Sequence, residues 1–238
     1  MRSIFVLLLV ILAMPLAGCI DDTPVYRYRL KVEIDTPTGL RTGSSVIEVE
    51  TAISRGLPTP GVVQTRYRGE AVEIDLGEAG TVFALLVTKQ RADWAGNIMF
   101  LLAPAVGSPA EDQFERRFDK MLHMRREITL PQNYIAGKYQ RASTGVPMLV
   151  TFEDLSDPNS VKEVDPEDLS ATFGDGYSLR RITVQMTDAP VTVGIVERLG
   201  WLPELYPGML NGDRFQNFEQ DGLASQISVG AFSTELGR

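Results

Sequence analysis

The chain of 238 residues holds one cysteine, Cys19, and one histidine, His123. A single thiol cannot close an intrachain disulfide or build a zinc–thiolate site, which needs several ligands. A lone imidazole excludes a histidine-rich metal centre and makes His123 the one residue on which a Ser-His-Asp triad could be built. Positive charge is scarce as well: 23 Lys and Arg face 31 Asp and Glu, for a formal net charge of −8. Such a surface has no electrostatic reason to bind nucleic acid, whose phosphates call for a basic patch. Nor does charge attract it to anionic lipid headgroups. No Gly-x-Ser-x-Gly elbow, Ser-x-x-Lys, phosphate loop or Gly-x-Gly-x-x-Gly fingerprint occurs, so no cofactor is expected. The one long apolar run, residues 4–14, falls short of the roughly 20 residues that span a bilayer.

That run has recognisable flanks. Arg2 precedes it, and Pro15 and a pair of small residues follow it before Cys19. Leu16-Ala17-Gly18-Cys19 matches a lipobox, and the segment as a whole resembles the signal peptide of bacterial lipoproteins. The resemblance implies cleavage before Cys19, a diacylglyceryl group on its thiol and acylation of the new amine. Two or three acyl chains anchor stably where one binds marginally. It also implies delivery to the outer membrane, on its periplasmic face, because Ile20 follows the cysteine where an inner-membrane retention signal would place aspartate. Asp21 and Asp22 come too late for that signal. With Cys19 consumed by lipid, thiol nucleophile chemistry is closed to the rest of the chain. Residues 1–18 then read as a cleaved signal peptide, 19–24 as a lipidated tether and 25–238 as one periplasmic domain, with a division near 142–146 as the alternative.

Within 25–238 the clearest pattern is strict alternation. Tyr26, Tyr28, Leu30, Val32 and Ile34 alternate with Arg27, Arg29, Lys31 and Glu33, which predicts a half-buried strand. A second strand carries Ile47, Val49, Thr51 and Ile53 on one face. Pairing the two about Gly39-Leu40 sets Val32 opposite Ile47, Leu30 opposite Val49, Lys31 opposite Glu48 and Arg29 opposite Glu50, with 35–44 as an exposed loop. Further strands are expected at 62–68, 71–76, 82–88, 98–102, 148–152, 179–187 and 225–232. The apolar 82–88 stretch suits burial on both faces. Ser108-Pro109-Ala110-Glu111 is a capping box, followed by Phe114, Phe118, Met121 and Leu122 on one stripe, which predicts an amphipathic helix near 109–124. Asp165 and Pro166 open a short helix that Gly174 ends, and 192–199 suits another, stopped by Gly200. Residues 201–213 read as loop. The expected class is α+β: a predominantly antiparallel sheet with that amphipathic helix and one or two short helices.

Three groups of residues bear on chemistry. His123 lies off the apolar stripe, four residues after Asp119 at the basic helix end, which suits a surface partner of the dipole and of Asp119. The acidic stretch from Glu153 to Asp168 offers clustered oxygens, and Asp154 and Asp157 are the natural calcium ligands within it, although no EF-hand spacing is present and capping explains them too. Tyr26-Arg27-Tyr28-Arg29 and Arg66-Tyr67-Arg68 could hold sugars or anionic polymers, but alternation alone places the tyrosines inward and the arginines outward. The function expected is therefore a non-enzymatic interaction or structural domain, anchored to the membrane by its lipid and contacting an envelope protein or polysaccharide. The alternatives are a carboxylate-dependent cell-wall hydrolase and a polysaccharide-binding module. Cys19 is the one residue assigned a functional role.

Overall fold

The computed structural model describes residues 20–22, 25–54, 62–98, 102, 119–135, 142–218 and 222–237. The lipobox and the residues before it, the start of the helix expected at 109–124, and Phe114 and Phe118 lie outside the described residues. Strands are numbered in chain order: β1 (Ile20–Asp22), β2 (Tyr26–Thr36), β3 (Gly39–Ser54), β4 (Val62–Arg68), β5 (Val72–Asp75), β6 (Thr81–Ala84), β7 (Ile128–Thr129), β8 (Asn133–Ile135), β9 (Ala142–Thr144), β10 (Leu149–Phe152), β11 (Val161–Val164) and β12 (Ser178–Met186). They form mainly antiparallel sheets with a few short helices, as the expected class requires.

The first sheet is built on β3. One edge of β3 pairs with β2 and, further along, with β1; the opposite edge pairs with β4. Beyond β2 the sheet continues through β12 to β7. The second sheet runs β11-β10-β6-β5, and β8 and β9 form a separate hairpin.

The inward face of β2 is as alternation predicts, while Glu33 on the opposite face is buried as well. Tyr26, Tyr28, Leu30, Val32 and Ile34 are buried between the sheets with Ile47 and Val49 of β3, Val72 and Ile74 of β5, Val82 and Ala84 of β6, and Ile182, Val184 and Met186 of β12. Each large apolar side chain so enclosed contributes roughly 1.5–3 kcal/mol.

The β2–β3 register differs from the expected one. The hairpin turns at Pro37-Thr38, so Val32 faces Gly43, Leu30 faces Ser45 and Arg27 faces Glu48, and most of 35–44 is strand. Pro37 supplies a fixed φ at the first corner, and Gly39 takes φ 121° at the exit. Thr36 Oγ1 accepts from the Thr38 N–H at 3.3 Å and donates to the Gly39 carbonyl at 2.6 Å. This compact turn displaces the ten-residue loop. The displacement is four residues, an even number, so every side chain keeps its face. Gly43 has a steric role here: a Cβ on it would sit 2.0 Å from the Glu73 carbonyl oxygen. The two sheets touch backbone to backbone at that point.

The two central strands of the second sheet, β6 and β10, are buried on both faces, as the apolar run at 82–88 implied for β6, although regular pairing in β6 stops at Ala84; the edge strands β5 and β11 leave Asp75, Lys162 and Glu163 exposed. The outer face of this sheet carries Phe83, Leu85, Val150, Phe152 and Val161, covered by a C-terminal layer that includes Ile195, Leu199, Leu202, Leu210 and Phe232. Phe83, Phe152, Trp201 and Phe232 pack with ring centroids 5.7–6.2 Å apart, mostly edge to face. The layer is irregular. The strand expected at 225–232 is two 3-10 turns, Leu223–Ser225 and Val229–Ala231. It is held through single backbone bonds: Ala71 N–H to Phe232 O at 2.7 Å and Leu86 N–H to Ala231 O at 2.9 Å.

Other elements depart from expectation in local ways. Ile98 and Leu102 are helical, because the chain passes through the 3-10 turn Ala95–Asn97 and Ile98 keeps φ −55°, ψ −30°. The helix after Pro166 begins only at Ser170 and is led in by Asp168, whose carboxylate accepts from Ala171 N–H at 3.1 Å; Asp165 instead closes a turn onto Glu167 N–H. The loop at 201–213 contains the helix Leu202–Leu205. Of the helix expected near 109–124, residues 119–122 are described as helical, and Met121 is fully buried.

Candidate functional site

The outer face of the first sheet carries the molecule's organised charge. Arg27, Glu48 and Arg68 lie side by side across β2, β3 and β4. Glu48 pairs with Arg27 at 2.7 Å and with Arg68 at 3.5 Å, and Arg68 continues to Glu235 at 2.9 Å. A second row centres on Glu33, only 3% exposed. Arg181 grips it through Nε at 2.7 Å and Nη2 at 3.0 Å, and Lys31 adds a contact at 2.5 Å. Hydrogen bonds from Arg181 and then Lys31 hold the Glu33 carboxyl at about 2, well below the ordinary value of 4.5. Glu127 stands 3.8 Å from both Lys31 and Arg181 and accepts from Thr183 Oγ1 at 2.6 Å. After β12 the chain binds the Arg27 carbonyl through Thr187 N–H and the Val46 carbonyl through Thr192 N–H. It therefore crosses β2 and β3 as a strap over the charged face. The alternating charges neutralise each other in rows. The face is a rigid, mixed-charge plate and not a basic groove.

The candidates from sequence fall as follows. Tyr26 and Tyr28 point inward, and the Tyr28 hydroxyl donates to the Ala95 carbonyl at 2.8 Å. Tyr67 is half-buried and donates to the Ala92 carbonyl at 3.1 Å. The tyrosines thus pin the Ala95–Asn97 turn to the sheet, with arginines on the opposite face, so the aromatic-basic pairs do not form a stacking platform. Asp154 and Asp157 are not brought together toward a common centre. Asp154 accepts from Ser156 N–H and Oγ, which lowers its pKa, and Asp157 accepts from Asn159 N–H at 2.9 Å. Both are turn caps. Among the described residues no group of three or more His, Cys, Asp or Glu is placed to hold a metal ion. His123 is exposed at the end of its helical turn, its Nδ1 2.7 Å from the Asp119 carbonyl oxygen and 3.5 Å from its carboxylate. Cys19 lies outside the described residues.

Two features escaped the sequence. Glu70, 3% exposed, sits between the sheet and the C-terminal layer. One carboxylate oxygen accepts from Ile195 N–H at 2.9 Å and the other from Ser233 Oγ at 3.2 Å. Desolvation raises its pKa, opposed by those hydrogen bonds. Nothing in its local sequence distinguishes it from the exposed glutamates, because its partners lie more than 120 positions away. The second feature is a loop on which Phe215 and Phe218 stand 74% and 73% exposed, with the Arg214 guanidinium 5.4 Å from the Phe215 ring centroid. Both are large apolar side chains left open to solvent on one short loop.

These features define an antiparallel two-sheet sandwich, closed on one side by an irregular layer and open on the other as a charged plate. Comparison with known proteins gives no matching family model, no matching curated protein and no matching solved structure. Among the described residues no helix is long and apolar enough to cross a membrane.

Proposed function

We propose that this chain is a lipid-anchored cell-envelope protein whose domain works by contact and not by catalysis. Cys19 is its lipidation site, and the periplasmic face of the outer membrane is its location. The amphipathic helix over 109–124 belongs to this reading, with Met121 as its buried contact. One observation carries the non-enzymatic part: among the described residues, each enclosed carboxylate ends on a structural partner. Glu33 serves Arg181 and Lys31, Glu48 serves Arg27 and Arg68, and Glu70 serves the backbone of Ile195 and the Ser233 hydroxyl. A glycosidase needs an acid and a base left facing substrate.

The partner is an envelope protein, met through the exposed Phe215 and Phe218. A photo-crosslinking residue placed at Phe215 in intact cells should yield one reproducible protein adduct, lost in the Phe218→Ser background. Purified protein incubated with cell-wall glycan should release no sugar. Turnover abolished by a single carboxylate substitution would refute the proposal in favour of a hydrolase, and glycan binding without turnover would refute it in favour of a polysaccharide-binding module.

A further inference from the structure

The anchor position and the sheet topology together determine how the domain stands on a membrane. Ile20, the residue after Cys19, is already in β1, paired with Ser54 at the end of β3. One residue spans about 3.5 Å, so a lipid on Cys19 leaves no slack between bilayer and sheet. The other end of the sandwich is equally well defined. The turn of the β2–β3 hairpin at Pro37-Thr38 lies with the β5–β6 turn, since Gly43 abuts Glu73 and Arg41 approaches Gly77. The β10–β11 turn joins them, because Thr151 Oγ1 bonds the Thr81 carbonyl at 2.8 Å. The 16 residues of β3 run from one end to the other, at most roughly 50 Å.

We propose that the end of the first sheet formed by β1, the close of β3 and the start of β4 lies directly on the lipid surface, with the three hairpin turns pointing away from it. This rests on the lipid-anchor reading and adds an orientation to it. The far end is also unsuited to lie on an anionic surface. The remote turns expose Asp75, Glu78, Asp154 and Asp157, with Glu153 paired to Lys162. An anionic bilayer repels such carboxylates within a Debye length of about 8–10 Å, and this pose sets them at the opposite end of β3.

Gln64, paired with Ala52 near the anchored end, and Glu78, at the remote end, are both exposed. Gln64→Cys and Glu78→Cys, made singly in the full chain, provide the one free thiol once Cys19 carries lipid. Each is labelled with a fluorophore donor and reconstituted into phosphatidylethanolamine–phosphatidylglycerol vesicles bearing a headgroup acceptor; Thr38→Cys serves as a second remote site. Energy transfer from position 64 should exceed that from 78 and 38 several-fold, and a ten-residue Gly-Ser insertion between Cys19 and Ile20 should erase the difference. Equal or reversed transfer on protein whose N-terminal peptide carries lipid by mass would overturn the orientation alone, as would a difference that survives the insertion. An N-terminal peptide without lipid would overturn the anchor reading, and the orientation with it.

Discussion

The two sheets share one core but close themselves in different ways. The first buries one face and leaves the other as rows of paired charge. The second buries both faces of its central strands, β6 and β10, and its outer cover is a layer of short helices and turns held by isolated backbone bonds, an aromatic cluster and Glu70. A sheet with one wet face needs only alternation and cross-strand charge. A sheet with two dry faces needs a second partner, which here comes from the far end of the chain. The C-terminal layer is therefore a structural half of the core and not a tail.

The point where the sheets meet most closely gives the largest effect. Gly43→Val places a side chain on the Glu73 backbone, which cannot yield without separating the sheets. The cost should be about 4 kcal/mol or more, read as loss of the cooperative urea transition. If the C-terminal layer is core, Phe83→Ala should cost about 3–5 kcal/mol, as truncation of a large buried aromatic does. An unfolding free energy from urea within about 1 kcal/mol of wild type would reduce the layer to a dispensable cover.

Glu70 sharpens the same comparison. Glu70→Ala strands the Ile195 N–H and the Ser233 hydroxyl at a cost of about 2–3 kcal/mol. Glu70→Gln can keep both bonds by reversing the serine hydroxyl, and it removes a carboxylate whose pKa is raised on folding. A carboxylate raised in the fold takes stability away as pH climbs above its unfolded value. The glutamine variant should therefore match or exceed wild type at neutral pH, with a flatter profile.

Glu33 has the opposite sign. Its carboxyl is lowered on folding to about 2 from 4.5, so its contribution is complete above 4.5 and lost as pH falls through about 2. Glu33→Gln should cost about 1–3 kcal/mol at pH 7, less than a fully buried pair because Arg181 stays open to water. The gap to wild type should close between pH 4.5 and about 2. The smallest effect belongs to the displayed loop: Phe215→Ser should leave the unfolding free energy within about 0.5 kcal/mol of wild type while weakening partner capture.

The same contrast explains what could be read from the residues in order. The first sheet was legible because its strands alternate: the inward faces of β2 and β12 and the full extent of β4 follow from period two. Its register was not, because Thr36-Pro37-Thr38-Gly39 closes a tighter turn than the Gly39-Leu40 pivot suggested, and the charge pairs Lys31–Glu48 and Arg29–Glu50 fitted the wrong pairing equally well. The short β11 was hidden in an acidic stretch. The cover of the second sheet was hidden because 3-10 turns have no apolar period to display, and 225–232 carries apolar residues that resemble a strand. Glu70 and Glu33 owe their character to Ile195, Ser233 and Arg181, contacts that no local window contains. The tyrosines of β2, by contrast, were correctly placed inward by alternation alone.

The central functional claim is that a lipid on Cys19 holds this sandwich at a membrane. Mass spectrometry of the N-terminal peptide from membrane-extracted protein tests it most directly. The account predicts a peptide beginning at Cys19 and carrying a diacylglyceryl group with an acylated amine, absent in Cys19→Ala. An unmodified Cys19, or a mature chain that begins elsewhere, would contradict it.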